Sequence, residues 1–294
     1  MHILVTGRQG QVAQSIGERI AGHRLTFVGR PEFDLAAPDS IERVVAEVAP
    51  DVVLSVAAYT AVDRAEDEPD AAMAINGTAP GVLARAAKRA GAAMVHLSTD
   101  YVFDGALDRP YVETDAVGPT GAYGRSKLAG EQAIAGSGAD CAIVRTAWVY
   151  SPFGQNFVKT MLRLGADRDE LRVVADQIGC PTSALDIADA LGAMLDWRAA
   201  HPDQSWGGLY HLAGSGEASW AELARASFAA SAELGGPTAR VVDIATEDWP
   251  TKANRPKNSR LNCFKFEEKF GYRAPIWQGS VKGVVSRLVN SQAA

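Results

Sequence analysis

Tyr123-Gly124-Arg125-Ser126-Lys127 sets a phenol and an ammonium four residues apart. On a helix, positions i and i+4 share a face, so both groups can enter one site. A free tyrosine has a pKa of about 10, too high for easy proton exchange at neutral pH, and a lysine charge beside it would stabilise the phenolate. This pair alone recurs by chance. Its weight comes from Leu97-Ser98-Thr99-Asp100, where an apolar run ends in hydroxyls. At the carboxyl edge of a parallel strand, Thr99 would meet the start of the Tyr123 helix, where such sheets bind ligands. Thr99, Tyr123 and Lys127 then form a triad suited to reducing a carbonyl, with Tyr123 as the proton donor.

A second cluster handles phosphate. Thr6-Gly7-Arg8-Gln9-Gly10-Gln11-Val12-Ala13 follows a short apolar run and opens a helical pattern. Gly7 and Gly10 permit a tight turn and a close backbone approach to a pyrophosphate, which sits at the positive end of the helix. Ala13 stands where a third glycine is usual and adds only a methyl. The next run ends Phe27-Val28-Gly29-Arg30. An acidic residue there would accept from a ribose 2′-hydroxyl, whereas Arg30 offers charge to a 2′-phosphate. The expected cofactor is therefore NADPH, with NADH left open as an alternative. A solvated surface arginine is the plain alternative for Arg30. Asp34-Leu35 either touches the adenine or caps the next helix.

The elements that must hold these groups alternate strand and helix. Strands are expected at Ile3–Thr6, Leu25–Val28, Val52–Ser55, Met94–Ser98 and Ala142–Thr146, with helices near Gln11–Ala21, Ser40–Val48, Ala71–Ala90 and Tyr123–Ala135. Asp70 is a candidate N-cap and Gly91 a C-terminal stop for the third helix. Four of the strands are nearly continuous Val, Ile, Leu and Ala, as befits strands covered on both faces. The fold class is α/β: a Rossmann-type doubly wound parallel sheet with a smaller C-terminal α/β substrate-binding domain. Residues 1–150 are assigned to the cofactor-binding domain, completed by a helix near 184–197, and residues 151–294 mainly to substrate binding. Helices are expected in the second part near Asn156–Leu164, Ala184–Trp197, Trp220–Ala232 and Ser280–Asn290.

Composition removes other classes. Among 294 residues there are 29 Lys+Arg and 35 Asp+Glu, a net charge of −6, which gives nucleic acid no general positive field. No run of about 18 uninterrupted apolar residues suggests a membrane span, and the N-terminus does not read as a signal peptide. Cys141, Cys180 and Cys263 are widely spaced and read as reduced, packed thiols of a cytoplasmic protein. No His/Cys spacing suggests a metal site.

With these pieces in place, the chain resembles the extended short-chain dehydrogenase/reductase superfamily, and within it the dTDP-4-dehydrorhamnose reductase family. The resemblance runs nearly end to end through GRQGQVA (7–13), AAYTAVDRAEDEP (57–69), STDYVFDG (98–105), YGRSKLAGE (123–131), RTAWVY (145–150), NFVKTML (156–162), DQIGCPT (176–182) and RPKNSRL (255–261). It implies a cytoplasmic NADPH-dependent reduction of the C4 keto group of dTDP-4-dehydro-L-rhamnose. Hydride would come from NADPH and the proton from Tyr123, with no metal required. Gly7, Gly10, Gln11 and Val12 would lie under the pyrophosphate, and Asp34 and Leu35 near the adenine. Ala57, Ala58 and Thr60 would line the cofactor, and Lys127 would bind its nicotinamide ribose and tune Tyr123. Thr99 and Asp100 would engage the sugar, Trp148 would wall its pocket, Asn156 would contact substrate, and Arg255 would meet the nucleotide phosphates.

Some family members are bridged into dimers by magnesium through glutamates. Gln14-Ser15 and Arg287 stand at the corresponding positions here, so no such bridge is expected, and monomer or homodimer stays open. Asp63, Arg64, Glu66, Asp67 and Glu68 read as a solvated charged segment. Asp176 to Thr182 reads as either a substrate contact or a structural clasp. The competing functions are another nucleotide-sugar reductase, epimerase or dehydratase, or a non-catalytic regulatory subunit. A dehydratase would want Asp-Glu after the strand-end hydroxyl, where this chain has Asp100-Tyr101.

Overall fold

In the first half, apolar runs too short to span anything but a sheet alternate with helices that cover it. In the computed structural model, which describes residues 1–291, these are β1 (His2–Thr6), α1 (Gln11–Arg19), β2 (Arg24–Val28), α2 (Pro38–Val48), β3 (Val52–Ser55), α3 (Ala79–Arg89), β4 (Ala93–Thr99), α4 (Ala122–Ala135) and β5 (Cys141–Thr146). The second half continues with α5 (Phe157–Gly165), α6 (Ala184–Ala200), β6 (Gly208–His211), α7 (Trp220–Ala232) and α8 (Trp277–Asn290).

The six strands form one sheet in the order β6-β5-β4-β3-β1-β2, and every neighbouring pair is parallel. Successive side chains point to opposite faces. Ile3 and Val5 thus pack with Ile16 of α1 and Ile187 and Leu191 of α6, while Leu4 packs with Ile41 of α2 and Leu83 of α3. The chain order steps outward from β1 in two directions, which makes the crevice beside β1 and β3 the topological switch point.

Two contributions come from beyond residue 150. Helix α6 covers one sheet face, and Arg19 of α1 makes paired hydrogen bonds of 2.9 and 2.7 Å to its Asp189. Strand β6 extends the sheet beside β5, pairing His211 with Arg145. Its sequence, Gly-Leu-Tyr-His, has too little apolar character to be read as a strand alone. Around these, α5, α7 and α8 enclose a separate core that includes Val158, Leu162, Phe228 and Val285.

The helix expected over 71–90 runs as Pro69–Ala72, a π-helical segment at Met73–Thr78, and then α3. Pro80 has no N–H for the carbonyl four residues back, that of Asn76, and its ring would clash there in a regular helix. The wider turn accommodates it. Glu68, rather than Asp70, occupies the N-cap position, and neither supplies a side-chain cap. Gly91 does stop the helix, at φ +72, with Gly91 N–H bonding to Lys88 O and Ala92 N–H to Ala87 O.

Candidate active site

At the end of β1, Thr6 turns its hydroxyl across the sheet and accepts from the N–H groups of Val56 and Ala57, each at 3.0 Å. This bond holds the segment after β3, with Ala57, Ala58 and Thr60, against the phosphate turn. Gly7 has φ +92, and a side chain there would also meet Ala57 Cβ at 3.4 Å. Helix α1 then begins at Gln11 with no side-chain cap, so its first N–H groups are free to bind an anion. A Cβ on Gly10 would meet nothing within 4 Å. This bare helix start and open glycine face fit a dinucleotide pyrophosphate.

Arg30 is exposed just past β2. Sequence reasoning missed a second cation beside it. Arg8 lies against Gly29, donates to the Phe27 carbonyl at 3.4 Å and pairs with Glu32 at 3.1 Å. Two guanidiniums therefore border the end of β2. Asp34 does not cap α2, whose N-cap position is Ala37 with no side-chain cap; its Oδ1 accepts from Ala36 N–H at 2.9 Å in the turn before the helix, while its own N–H donates to Ser40 Oγ. Leu35 packs on the core beside α2.

Gln11 and Asn156, assigned to cofactor and substrate from the sequence, meet each other. Gln11 Oε1 accepts from Ser151 Oγ and Asn156 Nδ2, both at 2.9 Å. Asn156 also donates to the Ser151 carbonyl and caps α5 by accepting from Lys159 N–H at 3.1 Å. Its amide is fully engaged within the protein. Asn156 thus clasps the turn before α1 to the second half.

The triad assembles at the carboxyl edge of the sheet. Thr99 ends β4, accepts from Tyr101 N–H at 3.2 Å and donates to Asp100 at 3.0 Å, at the same edge as Tyr123 near the start of α4. Tyr123 packs edge-on to Tyr101 with ring centroids 5.4 Å apart. Lys127 is 2% exposed and donates to Leu97 O at 2.7 Å, with His96 Nε2 at 3.3 Å.

The electrostatics differ from the expectation that Lys127 would depress the phenol. Burial, with the Asp100 charge adding to it, pushes the Tyr123 phenol well above its usual range, and the Thr99 hydroxyl opposes this only in part. Two contacts of the Lys127 ammonium go to the Leu97 carbonyl and His96, and its charge is not among the influences on the resting phenol. Its own value is pulled down to about 8 by burial. Asp100 Oδ2 is buried without a partner, and burial raises this carboxyl to about 6.

Helix α4 is fixed by contacts that the motif letters conceal. A Cβ on Gly124 would lie 2.2 Å from the Tyr101 carbonyl oxygen, and one on Gly130 would lie 2.1 Å from that of Asn76. Only glycine lets the helix sit this close. Its start lacks a local cap, and Glu66 supplies one, accepting from Ala122 N–H at 2.7 Å. The charged segment read as merely solvated therefore does work. Asp63 accepts from Ala253 N–H at 3.1 Å and from Arg255 at 2.7 Å, Glu68 accepts from Tyr59 at 2.8 Å, and Lys252 pairs with Asp67.

Arg255 also reaches the Tyr101 hydroxyl at 3.4 Å, which brings it to the aromatic pair beside the triad. Trp148, at φ +50, stacks on Trp220 with centroids 3.6 Å apart. Gly179 makes room for it, since a Cβ there would lie 2.4 Å from the indole. Gln177 accepts from Trp220 Nε1 and donates to Thr246, each at 3.1 Å, while Asp176 accepts from Thr246. These bonds tie the Asp176–Thr182 segment to Trp220 and Thr246. Trp220 was visible in the sequence only as one more tryptophan; nothing marked it as the partner of Trp148.

Arg287 pairs with Glu18 through 2.6 and 2.8 Å bonds. Among the described residues no group of three or more His, Cys, Asp or Glu could hold a metal ion, and no helix is long and apolar enough to cross a membrane. All three cysteines are free thiols.

A doubly wound parallel sheet carrying hydroxyl, phenol and ammonium at its carboxyl edge, next to a bare helix start, defines a dinucleotide-dependent oxidoreductase of the short-chain dehydrogenase/reductase type. The family model described as RmlD substrate binding domain matches residues 1–290. The chain is 47% identical to the dTDP-4-dehydrorhamnose reductase of Sinorhizobium fredii over 98% of each chain. Among solved structures, the dTDP-4-dehydrorhamnose reductase of Clostridium acetobutylicum superposes with a TM-score of 0.89 at 37% identity, covering 98% of this chain and 99% of that one. The Bacillus anthracis enzyme of the same name, solved in complex with NADP, gives 0.90 at 33% identity, covering 97% and 99%. The chain belongs to the dTDP-4-dehydrorhamnose reductase family.

Proposed function

We propose that this protein reduces the C4 keto group of dTDP-4-dehydro-L-rhamnose to dTDP-L-rhamnose in the cytoplasm, with NADPH as the reductant. The observation that carries the reading is the convergence of Thr99, Tyr123 and Lys127 beside a bare α1 start, in a chain that matches this family over its whole length. Bound NADPH supplies a hydride for C4 of the sugar. The N–H groups at Gly10, Gln11 and Val12 hold its pyrophosphate, Arg30 with Arg8 faces its 2′-phosphate, and Ala57, Ala58 and Thr60 line its path.

Tyr123 donates the proton. Burial keeps its phenol protonated at neutral pH, as a donor in the reduction direction must be. As C4 becomes tetrahedral its oxygen gains charge and basicity, and the phenol proton moves to it. Lys127 balances the phenolate that remains. When the sugar is bound, Thr99 turns its single hydroxyl proton from Asp100 to the keto oxygen, and Asp100 orients the sugar. Trp148, backed by Trp220, walls the pocket, and Arg255 faces the nucleotide phosphates from its hold on Asp63. The sheet with α6 and β6 serves the cofactor, and the remainder of 151–294 serves mainly the substrate.

The test is NADPH consumption with dTDP-4-dehydro-L-rhamnose formed in place by the two preceding enzymes, followed by NMR of the product. Oxidation with dTDP-L-rhamnose as product is expected. Tight NADPH binding without turnover of this sugar would overturn the substrate assignment.

A further inference from the structure

His96 lies in the interior of β4, is 1% exposed and has no part in the chemistry above. It is paired in register with Ser55 of β3, and its Nδ1 lies 3.0 Å from Ser55 Oγ. Its Nε2 faces Lys127 Nζ at 3.3 Å. An ammonium has three protons and no acceptor capacity. One of these protons goes to the Leu97 carbonyl at 2.7 Å. The imidazole nitrogen that faces the ammonium must therefore present a lone pair, so the ring proton sits on Nδ1 and is donated to Ser55.

We propose that His96 is a positioning residue for Lys127: as a neutral ring with Nε2 bare, it takes one ammonium proton, shares the head group with the Leu97 carbonyl, and leaves the third N–H directed into the site. Ser55 acts through His96 by fixing its tautomer. The inference rests on the reading of Lys127 as the charge that binds the cofactor ribose and balances the Tyr123 phenolate.

The surrounding charges agree with this geometry. Burial and the Lys127 charge both hold the His96 ring well below its ordinary range, which leaves Lys127 as the sole cation of the pair. Burial lowers Lys127 to about 8, and Glu131, one turn on in α4, opposes that shift. Glu131 is itself neutralised by Arg145 of β5, at 2.9 and 2.6 Å, and accepts from Ser98 of β4 at 2.5 Å. Tyr123 on α4, Asp100 and Tyr101 past β4, and Arg255 at the Tyr101 hydroxyl are the other titratable or charged groups around the site; Ser55 on β3 carries no charge. An acceptor on the charged form keeps Lys127 protonated, so losing the imidazole shifts its titration down.

The experiment is the pH dependence of kcat/KM for the wild type, His96→Leu and His96→Asn. The alkaline limb is expected to move down by about one pH unit in His96→Leu and to return most of the way in His96→Asn, whose amide oxygen can accept. A lowered rate with the limb unmoved means a merely structural histidine and overturns the proposal. Because a strand-interior substitution can prevent folding, a second measurement uses the wild-type protein with NADP bound and histidine labelled with nitrogen-15. One neutral tautomer, protonated at Nδ1, is expected for His96 from about pH 6 to about 9. Protonation at Nε2 or at both nitrogens overturns the proposal without any variant. Full turnover by Lys127→Ala would instead overturn the functional reading on which it rests, a result separate from the ring-nitrogen signal.

Discussion

The nucleotide end of the site and the catalytic end meet at the same sheet edge but are built on opposite principles. At the nucleotide end most of the work falls to backbone, an uncapped helix start and a glycine with open space before it, with two exposed guanidiniums beside them. At the catalytic end the working groups are side chains in a crowded, buried network, where Lys127, Asp100, Ser98 and Glu131 are all buried and two glycines on α4 touch backbone carbonyls. Phosphate carries its own charge and needs only dipoles and room, so its site can stay open to solvent. Proton transfer needs donors fixed to a fraction of an ångström and kept from water, so its site is packed. A mutation at the first end should therefore cost binding, and one at the second should cost chemistry and stability together.

The largest break is expected from Tyr123→Phe, which removes the proton donor and leaves the ring. Turnover should fall by about 10³-fold while NADP affinity, read by fluorescence titration, stays put. Near-full rate in this variant would sink the donor assignment.

A matched pair of alanines sharpens the contrast directly. In Gly124→Ala the new methyl meets the Tyr101 carbonyl at 2.2 Å, and chemical denaturation should report a loss of about 2–3 kcal/mol. Gly10→Ala, with nothing within 4 Å of the new methyl, should unfold within about 1 kcal/mol of the wild type yet bind NADPH more weakly, because the methyl stands where the pyrophosphate approaches. Equal destabilisation by both would erase the distinction.

Asp100 makes the buried end sensitive to pH. Its folded-state value is raised from 3.8 to about 6 by burial. The native state then binds more protons than the unfolded chain between these values, so stability should fall as pH rises from about 4 to about 6. Denaturation midpoints of Asp100→Asn should lack that slope. A wild-type curve parallel to the variant's across the window would show that the carboxyl titrates normally.

The smallest effect is expected at the exposed rim. Arg30→Ala should raise the KM for NADPH by about tenfold and change that for NADH little, with Arg8 retaining part of the 2′-phosphate contact. Equal losses for both cofactors would remove the phosphate from the account.

Much of this protein was legible in its sequence because local rules suffice there. Buried parallel strands are mostly apolar, so five of the six sheet strands could be marked from residue type alone even though His96 and Arg145 lie within two of them. Glycines at a strand–helix turn and the Tyr–Lys spacing on one helix face follow from backbone geometry within a few residues, and Gly91 marked a helix end for the same reason. What the chain could not disclose locally are contacts between residues far apart in it. Glu66 capping the Tyr123 helix, Asp63 holding Arg255, Gln11 gripped by Asn156, Trp220 beneath Trp148 and His96 behind Lys127 all depend on where the folded backbone carries them. The direction of the Tyr123 shift belongs to the same group, since it turns on burial and on the Asp100 charge. Sequence determined the elements and the reactive groups, because propensity and periodicity act over neighbouring residues. Tertiary structure decided which charges meet, which are buried and which hold one another in place, because Coulomb and desolvation energies depend on distance in space and not along the chain.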